Sequence, residues 1–157
     1  MHGGGFSGGE RKNGHHICSY AAQHGYVAAT ITYTLYMKGK NFSCGGQVPE
    51  KVKAFQIAAN QLWQDTIFLM KNADKYNIDI NKIFISGSSA GAETVLHAAY
   101  WDRDVMGLYP EKLPASFKYA GLISGSGAIM DLNLITKQNL LPMLFFHGSI
   151  DPIVPYD

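Results

Sequence analysis

One serine in this sequence has the neighbours that a nucleophile needs. Residues 87–91 read GSSAG, which fits the pattern Gly-x-Ser-x-Gly with Ser89 at its centre. Residues 82–86 (KIFIS) predict a short buried strand, and residues 90–100 predict a helix. A serine in a sharp turn between a strand and a helix presents its hydroxyl above the sheet, and the helix N-terminus stabilises negative charge that develops there. This context predicts nucleophilic catalysis by Ser89.

The Gly-x-Ser-x-Gly pattern is weak by itself, because glycine and serine are common in this chain. Residues 5–9 (GFSGG) fit it as well, with Ser7 at the centre, but no predicted strand precedes them. Gly87 and Gly91 are expected beside a nucleophile, since side chains there would collide with the neighbouring strand and helix. The alternative at Ser89 is an ordinary tight turn whose serine caps a helix.

Two further segments contain groups that would assist such a serine. Residues 2–6 (HGGGF) carry consecutive glycines, whose unshielded N–H groups form an oxyanion hole when they lie about 3 Å from the developing charge. Asp151 lies in residues 147–155 (HGSIDPIVP), directly after a predicted apolar strand, where an aspartate can orient a catalytic imidazole. The alternatives are a flexible tail for the first segment and a common turn aspartate before proline for the second.

The elements that must position these residues alternate along the chain. Strands are predicted at 26–33, 82–86, 117–124 and 142–147, and helices at 10–24, 50–76 and 90–100. Such alternation predicts the α/β class, with a mostly parallel sheet. The strands are apolar throughout, which predicts helices on both faces of the sheet.

Composition excludes several classes of protein. With 157 residues the chain has room for one domain, and 46% hydrophobic residues exclude a disordered chain. The net charge of +1 lacks the basic excess of a nucleic-acid-binding protein, and no apolar run is long enough to span a membrane. We expect no cofactor and no metal, because the sequence has no His-x-x-x-His helix and no clustered Cys and His. Cys18 and Cys44 are either free thiols or a disulfide formed in an oxidising compartment.

Together the three motifs resemble an α/β-hydrolase of the carboxylesterase and hormone-sensitive-lipase-like kind. HGGGF, GSSAGA and HGSIDPIVP occur in the order of that family, and residues 76–92 are especially similar to these esterases. The resemblance covers essentially all of residues 1–157. It implies a serine ester hydrolase that forms an acyl-enzyme with a small-molecule ester. Short-chain acyl esters, or the acetyl and feruloyl esters of plant polysaccharides, are the implied substrates.

The resemblance also implies a role for each matched residue. Ser89 matches the nucleophile and Asp151 matches the acid of the triad. The backbone N–H groups of Gly4, Gly5 and Ala90 match the oxyanion donors. The positions that support these motifs are His2, Gly3, Gly87 and Gly91, and His2 matches a residue that holds the glycine loop rather than the base.

Two parts of the family pattern have no counterpart in residues 1–157. The family's catalytic histidine follows the acid, whereas all six histidines precede Asp151: His2, His15, His16, His24, His97 and His147. Only Met1 represents the strand that leads into HGGG. We therefore expect a single partial α/β-hydrolase domain that lacks the N-terminal strands and the C-terminal strand and helix, from a longer protein or a truncated gene. We expect His97 to face the core or a neighbouring helix.

Other functions stay open at this point. A catalytically inactive remnant or binding module would explain the unmatched histidine, and the same fold also hosts peptidases and acyltransferases. Phe6, Trp101 and Tyr109 either line a substrate pocket or pack as ordinary aromatics. Localisation depends on the polypeptide upstream of Met1, where a signal peptide would direct secretion or export to the periplasm; without one the protein is cytoplasmic.

Overall fold

A computed structural model describes residues 1–42 and 45–156, so that Cys44 and its pairing with Cys18 lie outside the described residues. The strands are β1 (Phe84–Ser88), β2 (Gly121–Gly125) and β3 (Met143–Phe146). The helices are α1 (His15–Gln23), α2 (Val48–Lys71), α3 (Ala73–Tyr76), α4 (Ala90–Tyr100) and α5 (Arg103–Met106), with 3-10 turns at Arg11–Gly14 and Leu132–Leu134.

The three strands form a parallel sheet in the order β1-β2-β3. Ile85 lies opposite Leu122, and Leu122 lies opposite Met143. Parallel strands require crossover connections, which here contain α4 and α5 between β1 and β2. The predicted α/β class with a parallel sheet is confirmed.

Helices α4 and α2 form the layer that covers one face of this sheet. Helix α4 packs on β1 and β2 and is buried along almost its whole length, because Ala90, Gly91 and Ala92 let its backbone approach the sheet closely. Helix α2 packs on α4 through a stripe spaced by three and four residues, which includes Phe55, Ala59, Leu62 and Thr66. These contacts place the main core between the sheet and the two helices.

The opposite face of the sheet differs from the expectation of two covered faces. Phe84, Ile123 and Leu144 point away from α4 and are 55%, 40% and 50% exposed. Among the described residues, no helix packs on this face. The apolar composition of the strands predicted that helices pack on both faces of the sheet, but composition does not identify those helices.

The strand predicted at 26–33 is wrong: these residues form no strand in the structure. A strand exists only through hydrogen bonds to a neighbouring strand, and the described residues place none beside this segment. Tyr26 and Val27 are 62% and 57% exposed, although Tyr33 at the end of the segment is buried. β-Forming residue types were therefore not sufficient to make a strand here.

Smaller differences concern the ends of elements. The first predicted helix begins as a 3-10 turn and becomes α-helical at His15, and the long helix is divided at Asn72 into α2 and α3. Asn72 interrupts the helix as its side chain donates a hydrogen bond to the carbonyl of Phe68. Helix α5 was not predicted; its signal is Asp102, whose carboxylate accepts hydrogen bonds from the first turn.

Met1 lies on the edge of β1 that faces away from β2. Its amino group donates to the carbonyl of Ser86, and its carbonyl accepts from the N–H of Ser88 at 3.3 Å. This pair of bonds is the pattern of a parallel ladder. The segment 2–6 therefore begins at the carboxyl end of β1, next to Ser89.

Candidate active site

Ser89 is the single residue between the end of β1 and the start of α4. Its backbone has φ 52° and ψ −126°, a conformation that residues with a side chain rarely adopt. Its N–H donates to the carbonyl of Gly125 at 2.7 Å, and its carbonyl accepts from Ala92 at 2.7 Å. The strand, turn and helix that the sequence predicts around Ser89 are present. Ser7 lies instead in a loop, where its hydroxyl donates to the carbonyl of Gly4.

Glycines let three stretches of backbone converge at this turn. A Cβ on Gly87 would lie 2.1 Å from the carbonyl oxygen of Gly91, and a Cβ on Gly91 would lie 2.5 Å from that of Met1. A Cβ on Gly3 would lie 2.9 Å from the carbonyl oxygen of Ser88. Real Cβ atoms do not approach backbone this closely, so only glycine fits at these three positions.

The glycine loop folds back on itself beside the turn. The carbonyl of Gly4 accepts hydrogen bonds from the N–H groups of Ser7 and Gly8, both at 3.0 Å. Gly4 and Gly5 have φ of +117° and +59°, which glycine adopts without steric cost. Within the part of the chain that the structure describes, the N–H groups of Gly4, Gly5 and Ala90 donate to no backbone carbonyl.

Buried aromatic side chains support the loop from below. The His2 imidazole donates through Nδ1 to the carbonyl of Gly3 at 2.8 Å and stacks on the ring of Tyr33. Phe6 is fully buried and makes edge contacts with Phe42 and Phe55. Of the two readings for Phe6, packing is the one that the structure supports.

Asp151 is held in the turn that follows β3. Its Oδ1 accepts hydrogen bonds from the N–H groups of Ile153 at 2.9 Å and Val154 at 3.0 Å. These two bonds are the largest cause of a lowered pKa for the Asp151 carboxyl, and smaller contributions come from Ser126 and His147. A carboxylate that stays ionised is the form that can orient an imidazolium.

His147 and Ser126 were not among the predicted site residues, and both influence Asp151. The His147 imidazole lies with Nε2 3.7 Å from Oδ2 of Asp151 and 2.7 Å from the carbonyl oxygen of Val154. Ser126 directly follows β2 and has φ 51°, and its side chain is one of the smaller causes of the lowered pKa of Asp151. The spacing of four residues between His147 and Asp151 could have indicated that they interact. Nothing in the sequence indicated that Ser126 influences Asp151.

All these groups lie at one edge of the sheet, because parallel strands end on the same side. Ser89 follows β1, Ser126 follows β2, and His147 follows β3. Hydrogen bonds connect the three strand ends: Ser89 N–H donates to Gly125, and Ser126 N–H donates to the carbonyl of Phe146 at 2.7 Å.

His97 lies away from this edge, inside the core, as expected. It stacks on Phe55 with ring centroids 4.7 Å apart, donates through Nδ1 to the carbonyl of Glu93, and accepts at Nε2 from the N–H of Met130. Burial lowers its pKa to about 4. His15, His16 and His24 are exposed on α1 or at its end.

Glu93 is a buried carboxyl that the sequence analysis did not single out. It lies one turn after Ser89 on α4, and its backbone N–H donates to the carbonyl of Ser89 at 3.0 Å. Burial raises the pKa of Glu93 to about 7, and the charge of Lys51 opposes that rise. In the helix sequence AGAETVLH nothing marks this glutamate as buried rather than exposed.

A cavity of about 470 Å³ beside the helices is remote from this edge. It lies at the far end of α4, where Trp101, Phe117 and Leu141 contribute to its lining. Trp101 directly follows the last residue of α4, whereas Ser89 directly precedes the first. Tyr109 lines a smaller depression beside Trp63.

Comparison with known proteins agrees with this architecture. The sequence pattern of the BD-FAE family matches residues 1–140, a range that contains Ser89 and the glycine loop and ends before Asp151. The crystal structure of vibralactone cyclase is similar, with a TM-score of 0.57 and 20% identity, which at that identity shows a shared fold. The match covers 88% of this chain and 35% of that chain.

The search of curated proteins found no match to this sequence. Within the described residues, no helix combines the length and the apolar character needed to cross a membrane. The family match spans most of the chain and agrees with the parallel sheet and its helices. The chain therefore belongs to the BD-FAE family, an α/β-hydrolase family of the carboxylesterase and hormone-sensitive-lipase type.

Proposed function

We propose that this protein is a serine carboxylic-ester hydrolase that acts through an acyl-enzyme. The observation that carries the proposal is the backbone of Ser89, which is held at φ 52° between β1 and α4 while the glycine loop packs against it. Such strain at a non-glycine residue is tolerated where the surrounding structure demands it, and it clusters at active sites. An ordinary helix cap has extended backbone and needs no such conformation.

The proposed reaction uses the groups at this edge. Ser89 Oγ attacks the ester carbonyl and forms a tetrahedral intermediate, whose oxyanion accepts hydrogen bonds from Gly4, Gly5 and Ala90 N–H. An imidazole takes the serine proton and returns it to the departing alcohol, which leaves the acyl group on Ser89. Water then attacks the acyl-enzyme with the same imidazole as base, and Asp151 stabilises the imidazolium.

The imidazole in this scheme is the family's histidine that follows the acid. None of the six histidines in residues 1–157 follows Asp151. With the oxyanion hole but no base, a protease precedent retains about 10³–10⁴-fold acceleration over water. We therefore expect residues 1–157 alone to hydrolyse esters far more slowly than a complete triad would.

The substrates that we propose are short-chain acyl esters, or the acetyl and feruloyl esters of carbohydrates. The glycine loop supports esters over peptides, because the motif resembles that of esterases. An inactive remnant of such a hydrolase is the alternative that the experiment below must exclude.

A fluorophosphonate probe on the longest natural form of the protein tests the proposal. We expect stoichiometric labelling of Ser89, loss of labelling in Ser89→Ala, and full labelling in the matched control Ser7→Ala. Turnover of p-nitrophenyl acetate, compared with an anilide and a thioester of the same acid, then distinguishes an esterase from a peptidase or an acyltransferase. A folded protein whose Ser89 stays unlabelled would refute the proposal and favour the remnant.

A further inference from the structure

We propose that the cavity at the far end of α4 is a binding site for a small aromatic carboxylate, separate from the edge that carries Ser89. Its volume is about 470 Å³. Small-molecule sites typically have volumes of roughly 300–1,000 Å³. The residues that line the cavity come from the end of α4, from α5 and from the segments that precede β2 and β3. Binding there does not depend on the proposed function.

Arg103, the first residue of α5, lines this cavity as a partly buried cation without a counter-ion. Its guanidinium donates to the carbonyl oxygens of Pro114 at 3.3 Å and Phe117 at 3.0 Å. Among the described residues, no carboxylate forms an ion pair with it. A guanidinium carries more N–H donors than these two bonds use, and its planar fork matches the geometry of a carboxylate.

The burial of Arg103 makes an anion beside it favourable. Burial lowers the pKa of the guanidinium, because its surroundings solvate the charge less well than water does. Arginine nevertheless stays charged at neutral pH. A desolvated charge without a counter-ion costs free energy, and a bound anion recovers part of that cost.

The other charged residues of the lining leave an excess of positive charge. Lys112 pairs with Asp104, with 2.6 Å between Nζ and Oδ1. The carboxylate of Asp102 accepts two N–H groups of the first turn of α5. Lys118 donates to a backbone carbonyl at 3.1 Å and forms no ion pair within the described part of the chain. Two cations without acidic partners, Arg103 and Lys118, are therefore opposed by Asp102 alone, which favours an anionic ligand.

The walls of the cavity favour a flat apolar group next to that anion. Trp101 and Phe117 line it, and Leu113 and Leu141 add aliphatic surface. The guanidinium carbon of Arg103 lies 5.5 Å from the centre of the Phe117 ring. A ring in the cavity would pack on these side chains while its carboxylate binds the guanidinium. An inorganic anion would use the charge and leave the aromatic surface uncovered.

Cinnamate is a suitable probe for this class of ligand, because a flat linker joins its carboxylate to an aromatic ring. Hydrolysis of a feruloyl ester releases an acid of the same class. The product of such a reaction is therefore a natural occupant of the cavity, and this link alone rests on the proposed function.

The experiment follows cinnamate binding by ¹H–¹⁵N NMR on the longest natural form of the protein. Trp101 lines the cavity, whereas Trp63 does not and donates its indole N–H to the carbonyl of Ala98 at 2.9 Å. We expect the indole signal of Trp101 to shift to saturation and that of Trp63 to stay in place. Cinnamamide, which lacks the charge, and acetate, which lacks the ring, should each bind about tenfold or more weakly.

Variants of the two cations test the source of the affinity. Arg103→Gln should weaken cinnamate binding about tenfold or more, and Lys118→Gln should cause a smaller loss. Arg11→Gln and Lys12→Gln are the matched controls, because both residues are exposed and neither lines the cavity. Arg103 also bonds two backbone carbonyls, so Arg103→Lys is made as well. It keeps the charge and should bind cinnamate more tightly than Arg103→Gln.

Several outcomes would overturn the proposal. One is an unmoved Trp101 signal at millimolar cinnamate, and another is equal affinity for cinnamate and cinnamamide. A Trp101 shift caused by cellobiose, without a response to cinnamate, would assign the cavity to a neutral carbohydrate instead. Cinnamate should bind equally well after fluorophosphonate labelling of Ser89, and loss of binding on labelling would place the ligand at Ser89. A serine that does not label counts against the proposed function alone.

Discussion

Tyr33 holds His2 in two ways at once. Its phenol donates a hydrogen bond to the backbone carbonyl of His2 at 2.8 Å, and its ring stacks on the His2 imidazole with centroids 4.3 Å apart. Burial raises the pKa of Tyr33, so its hydroxyl remains a protonated donor at neutral pH. A tyrosine from a segment without strand structure thus fixes the first residue of the glycine loop.

Tyr33→Phe should separate these two contacts, because it keeps the stacked ring and removes the donor. We expect the free energy of unfolding to fall by about 1–2 kcal/mol, since the buried carbonyl of His2 loses its partner. Chemical denaturation measures this, and Tyr26→Phe is the matched control because Tyr26 is 62% exposed. Equal stability of the two variants would contradict the role of Tyr33.

Gly91→Ala should be severely destabilising. The new Cβ would lie 2.5 Å from the carbonyl oxygen of Met1 and 2.6 Å from that of His2, and backbone atoms cannot move aside as a flexible side chain does. We expect a loss of roughly 1–3 kcal/mol or an altered glycine loop. Gly148→Ala is the control, because no atom lies within 4 Å of its added Cβ. Thermal unfolding that ranks the two variants equally would exclude this close approach.

Ser89→Gly should stabilise the protein. Glycine adopts φ 52° without the cost of about 1–3 kcal/mol that a side chain incurs, and its greater chain entropy offsets about 0.5–1 kcal/mol of that gain. The net expectation is an increase of about 1 kcal/mol in the free energy of unfolding. Ser88→Gly, in the strand next to it, should instead lower stability. A loss in both variants would show that Ser89 is not strained.

Glu93 and His97 should have opposite effects on the pH dependence of stability, and these two effects should largely cancel. The pKa of Glu93 rises from 4.5 to about 7. Its contribution to the stability of the fold is therefore complete below pH 4.5, where the carboxyl is neutral, and is lost as the pH rises to 7. The pKa of His97 falls from 6.5 to about 4. Its contribution to the stability of the fold is therefore complete above pH 6.5, where the imidazole is neutral, and is lost as the pH falls to 4. Between pH 4.5 and 6.5 the two slopes, each about 1.4 kcal/mol per pH unit, oppose each other.

Replacing one of the two residues at a time should reveal how stability changes with pH because of the other. Relative to the wild type, Glu93→Gln should become more stable with rising pH between 4.5 and 6.5, because only His97 remains. His97→Gln should become less stable over the same range, because only Glu93 remains. Urea denaturation at several pH values measures both. Parallel stability curves for the two variants would mean that these groups do not titrate as their burial requires.

The local sequence pattern was sufficient to predict much of the site. Helix α4, the strand before it and Ser89 between them follow from a short apolar run, a glycine-flanked turn and helical spacing within twenty residues. Helix α2 follows from apolar residues that recur every three or four positions. These features depend on neighbours in sequence, so the residues themselves determine them.

The tertiary structure decided what depends on distant partners. Residues 26–33 have the composition of a strand and form none among the described residues, because a strand needs a second backbone beside it. Glu93 and His97 are buried because α2 packs on α4, a contact that no local pattern in α4 announces. The N–H of Ser126 meets the carbonyl of Phe146 only because β2 and β3 are neighbours in register. The sequence determined which residues can react, and the packing of parallel strands decided which of them meet.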